Sequence, residues 1–398
     1  MNLFKSSYGE TLLSNRLIAV FFLLIITIGM SFGGKNLYFD NDYRAFFGEA
    51  NPQLDAFERL QKTYTKIDNV QFAFEPKAGS DSSSVQILAA VEELTELAWQ
   101  IPYSLRVDSI SNYQHTEVED DDLIVEDLYS YADELEQSEL DDIKNIVTTE
   151  PSIIGRLHDP DHKSTAVTVT VQLPGENPTE VVEVVEAARN IKDEILKKHD
   201  VNIRLGGIAM FNNAFFEASE SDMTTLMPAM YLVILIVTFL LIRSVYATAM
   251  VILIIIPSIT FAMGFGGWIG VGLTPPSASA PTIITTLAVA DSIHFLVTMF
   301  NRMRAGFSQR EAIIYSLSVN GKPIFLTSIT TAVGFLSLNF SDSPPFHDLG
   351  NITAAGVMAA WLFSIVLLPI LMSIVTVKPR ETLAVSYTHL TLPTMRLV

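Results

Sequence analysis

An aspartate and a histidine three residues apart, Asp291 and His294, stand in the middle of an apolar stretch, TIITTLAVADSIHFLVTMFNRMR from residue 282 to 304, long enough to cross a bilayer. Steps of three and four residues return to one helix face, so Asp291, His294, Thr298 and Asn301 form a polar stripe opposite an apolar face. Asp291 lies about ten residues from either end, which at about 1.5 Å of rise per residue puts it roughly 15 Å deep, near the midplane of a ~30 Å hydrocarbon core. A charge there costs at least ~2.5 to 3.5 kcal/mol on insertion scales. It is tolerated where it faces other helices or a wet cavity, and the chemistry such a site supports is proton binding and release. Two readings are open. Asp291 and His294 form a proton-binding pair, titrating as one unit where they sit close, or they hydrogen-bond each other and hold helices together. Intramembrane ionisable residues are functional by default, which favours the first.

The elements that must position this stripe are visible as apolar blocks. With 49% hydrophobic residues among 398 and a mean hydropathy of +0.34, the chain is too apolar for an ordinary soluble enzyme. Blocks at 17–33, 226–242, 245–271, 282–303, 324–340 and 352–377 are each long enough to span. The first has no small-x-small cleavage site after it and is expected to stay as an anchor, not a cleaved signal.

Charge sets the orientation. Residues 35–222 hold 38 acids against 15 bases, a balance of −23 in a chain whose total is −19. Lys5, Arg16, Arg243, Arg302, Arg304, Arg310, Lys322, Lys378 and Arg380 lie at alternate ends of the blocks. By the positive-inside rule these face the cytoplasm and the acidic domain lies outside. A multi-pass protein of a bacterial inner membrane, with a periplasmic domain and both ends of this chain cytoplasmic, fits best. The absence of cysteine excludes disulfides and thiolate metal sites.

In the outer domain the patterning predicts a connector helix with Leu54, Phe57, Leu60 and Tyr64 on one face, a strand over 69–74, a helix over 85–100 and a strand over 104–110. A strand over 164–173, with Val167, Val169 and Val171 alternating against threonines, a helix over 180–198 and a strand over 202–205 repeat the unit. Two such units suggest a split α+β sandwich with helices on one face of a sheet. Between them, the acidic segment 117–142, including Asp120, Asp121 and Asp122, reads as solvated surface with short helices over 123–128 and 138–147; it lacks the pattern of a calcium loop. His158, His162 and His347 read as surface residues. A helix over 210–223 leads to the second span.

Spans two and three form a tight hairpin around Arg243 and Ser244, and GFGGWIGVG at the end of span three permits close helix contact. Pro281 suits the first turn of span four. Between spans four and five, Ile313, Ile314 and Leu317 lie opposite charged positions and predict a helix lying on the cytoplasmic surface. Span five carries Thr327, Ser328, Thr330 and Thr331 before Gly334; such residues are normally packing surface, and Thr298, Thr330 and Thr331 are the candidates to support a proton path. No nucleophile with its base, metal cluster or phosphate loop is recognisable, so neither an enzyme nor a cofactor is expected, and nothing points to nucleic acid.

FDNDYRAFF and NPQLDAFERL after span one, RVDSISNYQHT in the domain, PSASAPTIITTLAVADSIHFL across span four and TTAVGFLSLNFSDSPPFHDLGNITAAGV across spans five and six resemble the resistance-nodulation-division (RND) superfamily, specifically its MMPL-type, Patched-like exporters. The resemblance covers about residues 17–380. It implies an α-helical membrane protein, six helices forming half of an RND bundle, with an α+β ferredoxin-like extracytoplasmic porter domain. Spans two to six correspond to the sterol-sensing domain of eukaryotic relatives. The domains are then 1–34, the cytoplasmic start and first span; 35–224, the periplasmic porter domain; and 225–380, five spans. The implied activity is proton-driven export of hydrophobic or amphiphilic, lipid-like molecules, with Asp291 as relay and His294 beside it. Leu287 stands where many Patched-like members have glycine four residues before the aspartate, and Ser292 where an aromatic often follows it.

Family members contain two such halves, and transport uses both. VSYTHLTLPT, from residue 385 to 394, resembles the translation of a transposon-end sequencing adapter. Residues 385–398 are therefore expected to be a non-native tail, with a natural chain that continues to a second half facing Asp291, or else pairs with a partner or a second copy. Two other functions stay open: a lipid-sensing or scaffolding protein whose spans two to six bind a sterol-like lipid, and an accessory of Sec-type translocation, whose motifs are not recognisable.

Overall fold

The computed structural model describes residues 6–378 except 41, 49–50, 65–67, 78–80, 120–121, 175–176 and 178. Lys5, Arg380, Asp120, Asp121 and the tail at 385–398 lie outside the described residues. The chain divides into two compact units: Met1–Asp40 with Ala45–Gly48 and Ser219–Val398, and Asn41–Arg44 with Glu49–Ala218.

The first unit opens with α1 (Ser6–Ser14), α2 (Arg16–Ser31) and the two-residue strand β1 (Tyr38–Phe39). The second unit follows with α3 (Pro52–Thr63), β2 (Asn69–Glu75), α4 (Val85–Ala98), β3 (Ser104–Asp108), β4 (Gln114–Glu119), β5 (Asp122–Asp127) and α5 (Gln137–Thr149). It continues with β6 (Thr165–Val171), α6 (Glu180–Lys198) and β7 (Asn202–Gly206). The chain then runs through α7 (Ile208–Ser221), a π-helical turn at Asp222–Leu226, α8 (Met227–Ile242) and α9 (Val245–Trp268). The remainder is β8 (Gly272–Leu273), α10 (Pro275–Ala278), α11 (Ala280–Arg304), α12 (Gln309–Leu336), α13 (Pro344–Leu362), a π-helical turn at Phe363–Leu367 and α14 (Leu368–Ile374).

Among the described residues, six helical segments are long and apolar enough to cross a membrane: Arg16–Asn36, Ile208–Ile242, Val245–Trp268, Pro275–Arg304, Gln309–Phe340 and Pro344–Ile374. Arg243, in the left-handed region at φ 55°, ends α8, and the Ser244 side chain caps α9 at the amide of Ala247, 3.4 Å away. That two-residue link makes the hairpin. The glycines of span three do what their composition suggests. A Cβ on Gly264 would lie 2.0 Å from the carbonyl oxygen of Met30, and one on Gly267 1.8 Å from that of Gly33, so α9 meets the end of the first span backbone to backbone.

The expected surface helix between spans four and five is not a separate element. A capping box between Ser308 and Glu311 starts α12 at Gln309, and the helix runs on through Pro323 to Leu336. Ile313 and Leu317 are buried in one cluster with Leu12 and Leu13 of α1, so their apolar face is satisfied by protein, not by a membrane surface.

In the second unit, strands order β3-β6-β2-β7 in an antiparallel sheet, with Phe72 opposite Val167 and Leu205. Alternation along β2 buries Val70, Phe72 and Phe74, and along β6 Val167, Val169 and Val171. Leu88, Val91 and Leu94 of α4 and Val184, Ala188 and Ile195 of α6 complete this core. Gly207, at φ +100°, turns the chain beside Asn69, whose carbonyl oxygen would be 2.5 Å from any Cβ there. The expected helix over 123–128 is instead strand β5, which pairs with β4 from Gln114 opposite Asp127 to Glu119 opposite Asp122. Its consecutive Leu123, Ile124 and Val125, two of them β-branched, suit a strand, and among its residues only Ile124 is half-buried, the rest being exposed. His158 is also not a surface residue: it is 2% exposed, with Nε2 3.1 Å from Nδ1 of His162.

Candidate functional site

The stripe singled out in the sequence lies on α11. Pro281 occupies its first turn, where a missing N–H costs nothing, and Arg302 and Arg304 its last, where cations complement the helix dipole. The Arg302 guanidinium stacks 3.4 Å from the ring centre of Phe307, and Arg304 donates to Asn301 Oδ1 at 2.8 Å. These contacts fix the end of the helix.

Asp291 is 7% exposed, held at the edge of the face that also buries Ala288, Ser292 and Phe295. Its hydrogen bond comes from the neighbouring helix: Ser328 Oγ of α12, itself buried, donates to Asp291 Oδ2 at 3.3 Å and to the Ile324 carbonyl oxygen at 2.8 Å. Ser316 Oγ donates to the Phe295 carbonyl oxygen at 2.7 Å, and Asn320 Nδ2 donates to Ser316 Oγ at 3.1 Å. The α11–α12 seam is thus tied by side chains at Asp291 and at Phe295.

The structure does not bring the other candidates to the carboxylate. His294 and Asn301 are exposed, Thr298 is half-buried, and among the described residues no hydrogen bond joins His294 to Asp291. Thr330 is exposed and turns its hydroxyl to the Leu326 and Thr327 carbonyls; Thr331 is half-buried. Ser328 is the partner that spacing alone did not single out from its neighbours. The signal was present as a four-residue stripe of small and apolar residues, Ser316, Ile324, Ser328 and Ala332, which is the buried face of α12. Among the described residues no group of three or more histidine or acidic side chains could hold a metal ion.

A buried carboxylate in the fourth of the six candidate spans among the described residues, with an acidic α+β unit between the first span and the rest, defines a polytopic membrane protein. The chain belongs to the MMPL family, a family of membrane transporters, whose sequence model matches residues 56–385. It is similar to a membrane protein of Methanocaldococcus jannaschii, 21% identical over 362 residues that cover 88% of this chain and 89% of that one. It is also similar to the transport protein MmpL2 of Mycobacterium tuberculosis, 25% identical over 214 residues, 52% of this chain and 22% of that one. Among solved structures it resembles a heavy metal efflux pump, with a TM-score of 0.40 and 14% identity over 77% of this chain and 36% of the pump. The chain therefore spans most of its archaeal relative but about a fifth of MmpL2.

Proposed function

We propose that this protein exports hydrophobic or amphiphilic, lipid-like molecules using the proton-motive force, with Asp291 as the proton-carrying group. The observation that carries the reading is the buried carboxylate of Asp291 inside a six-span bundle, held by a hydroxyl and by no cation among the described residues. A proton moving down ~100 mV supplies ~2.3 kcal/mol, and a carboxyl that gains and loses a proton as helices rock can couple that energy to transport. His294, one turn away on the exposed flank, relays the proton toward a second six-span half, a partner chain or a second copy, with Thr298, Thr330 and Thr331 supporting the path. Such a partner would cover the polar flank that His294 and Asn301 leave open.

In this reading the protein lies in a bacterial inner membrane with both ends of this chain cytoplasmic. The α+β unit is then a periplasmic, ferredoxin-like porter domain, a reading supported by its strand order and by the two strand-helix-strand units.

A second reading, lipid sensing or scaffolding by a sterol-sensing-like bundle, is favoured by one feature. An apolar cavity of about 480 Å³ in the first unit is lined by Leu23, Ile26, Met30, Phe261, Phe265 and Trp361.

The test is Asp291→Asn in the full-length protein reconstituted in proteoliposomes, reading lipid-stimulated proton flux with a lumenal pH dye. Loss of flux in a variant that stays folded supports the exporter. Wild-type flux overturns the proton role, and lipid binding without flux in either protein turns the balance to sensing.

A further inference from the structure

The β4–β5 ribbon stands apart from the main sheet of the second unit. Between it and α5 runs a groove of about 380 Å³, a volume suited to a small organic molecule. Its floor is apolar: Ile124, Leu128 and Ile146 are half-buried and Ile143 is buried. Its rim is acidic, with Glu126 and Asp127 from the ribbon and Glu139 and Asp142 from α5.

Among the described residues, those carboxylates pair with no cation. Asp127 accepts from the Gln114 side chain and Glu139 from the backbone amide of Glu136 at 2.7 Å, both neutral donors. Glu126 and Asp142 have no hydrogen bond or ion pair among the described residues. Lys144 lies on the same helix as Glu139 and Asp142, yet it pairs with Asp81 at 2.9 Å. Arg106, Lys163 and Arg189 likewise pair elsewhere, with Asp108, Asp161 and Glu217. Among the described residues, His115 is the only basic side chain in the lining. An acidic rim over an apolar floor concentrates cations, because low-dielectric walls focus the field of the carboxylates into the groove.

We propose that this groove binds a cationic amphiphile: an organic cation whose charged group sits between Glu126 and Asp142 while its apolar body covers Ile124 and Ile146. Charge alone would draw any cation to so acidic a domain, and the floor alone would take any apolar molecule. Only a ligand with both parts satisfies the two together. The inference goes beyond the transport reading, since capture in this groove needs no proton flux through Asp291.

The experiment uses the full chain in nanodiscs of zwitterionic lipid. Fluorescence anisotropy follows two probes, the aromatic cation ethidium and the anion anilinonaphthalenesulfonate. Ethidium is expected to bind saturably. The double variant Glu126→Gln/Asp142→Asn should weaken it by about tenfold, as two exposed charge contacts warrant. Ile124→Ser should weaken it by several-fold at unchanged net charge. Asp133→Asn/Glu134→Gln, which removes two exposed carboxylates outside the lining, should leave it unchanged. Charge reversal, Glu126→Lys/Asp142→Lys, should transfer the preference to the anionic probe, a gain that a misfolded variant would not show. Equal weakening by the Asp133/Glu134 pair would mean a general acidic field and would overturn the proposal. So would ethidium affinity that ignores the Glu126/Asp142 substitutions.

Discussion

Ser328 reaches from α12 to donate a hydrogen bond of 3.3 Å to Asp291 on α11, and both side chains are buried. In a low-dielectric bundle an unpaired carboxylate is costly, and one donor offsets part of that cost. Ser328→Ala removes the donor without adding bulk. A hydrogen bond to a charged group contributes about 1.5 to 3 kcal/mol, and the length here places it at the low end, so under the proposed exporter reading proton flux should fall by about tenfold. The thermal midpoint should stay within a few degrees of wild type. Unchanged flux in Ser328→Ala would show that this contact does not set the behaviour of Asp291.

Close packing of the first span against α9 gives a second prediction with its own control. A Cβ on Gly33 would come within 2.0 Å of the Gly264 carbonyl oxygen, and one on Gly264 as close to that of Met30. Backbone atoms cannot swing aside as side chains do, so Gly33→Ala or Gly264→Ala must push the helices apart. Overpacking of this kind costs about 1 to 3 kcal/mol. Gly34, adjacent in sequence, has nothing within 4 Å of its would-be Cβ. Thermal unfolding in detergent should therefore show a lowered midpoint for the first two variants and none for Gly34→Ala.

Much of this architecture is legible in the sequence because local periodicity and burial agree there. Helix α6 runs from Glu180 to Lys198 as its spacing requires, and the valines of β6 face the core at every second residue. Asp291 announces itself through its depth in an apolar span. What fails is whatever depends on distant partners. Residues 123–128 pair with a strand that their own composition does not reveal. His158 is buried because the loop before β6 folds against Ser82, whose hydroxyl lies 3.4 Å from its ring. The choice of Ser328 over Thr327, Thr330 or Thr331 rests on how α12 is rotated against α11; the small and apolar stripe of Ser316, Ile324, Ser328 and Ala332 marks the buried face, but not which neighbouring helix it meets.

Gln309 illustrates the same point at the end of span six. Its side-chain amide donates to the carbonyl oxygens of Met372 and Val375, the latter at 2.7 Å, and its Oε1 accepts from the Val377 amide at 3.2 Å. The first residue of α12 thereby caps the C-terminus of α14, whose last carbonyls have no helical partner. Gln309→Ala should cost about 1 to 3 kcal/mol by leaving those groups unsatisfied. Gln309→Glu should cost more, because a carboxylate would face two carbonyl oxygens. Hydrogen exchange over residues 370–378 should rise in the order wild type, Ala, Glu; equal exchange in all three would show that the cap carries no stability.

The last prediction concerns pH and the second unit. Burial lowers the pKa of His158 to about 4, with the neighbouring His162 acting in the same direction. An unfolded histidine titrates near ~6.5, so as pH falls the unfolded chain takes up this proton first. The contribution of a neutral, buried His158 is therefore fully present above pH ~6.5, is lost progressively on acidification, and stops changing below about 4. His158→Asn removes this titration. Between pH 7 and 4.5 the thermal midpoint of the full-length wild-type protein should fall more steeply than that of the variant, even though carboxylates contribute a slope of their own to both. Parallel slopes in the two proteins would mean that acid destabilisation comes from those carboxylates and that the His158–His162 pair does not report pH.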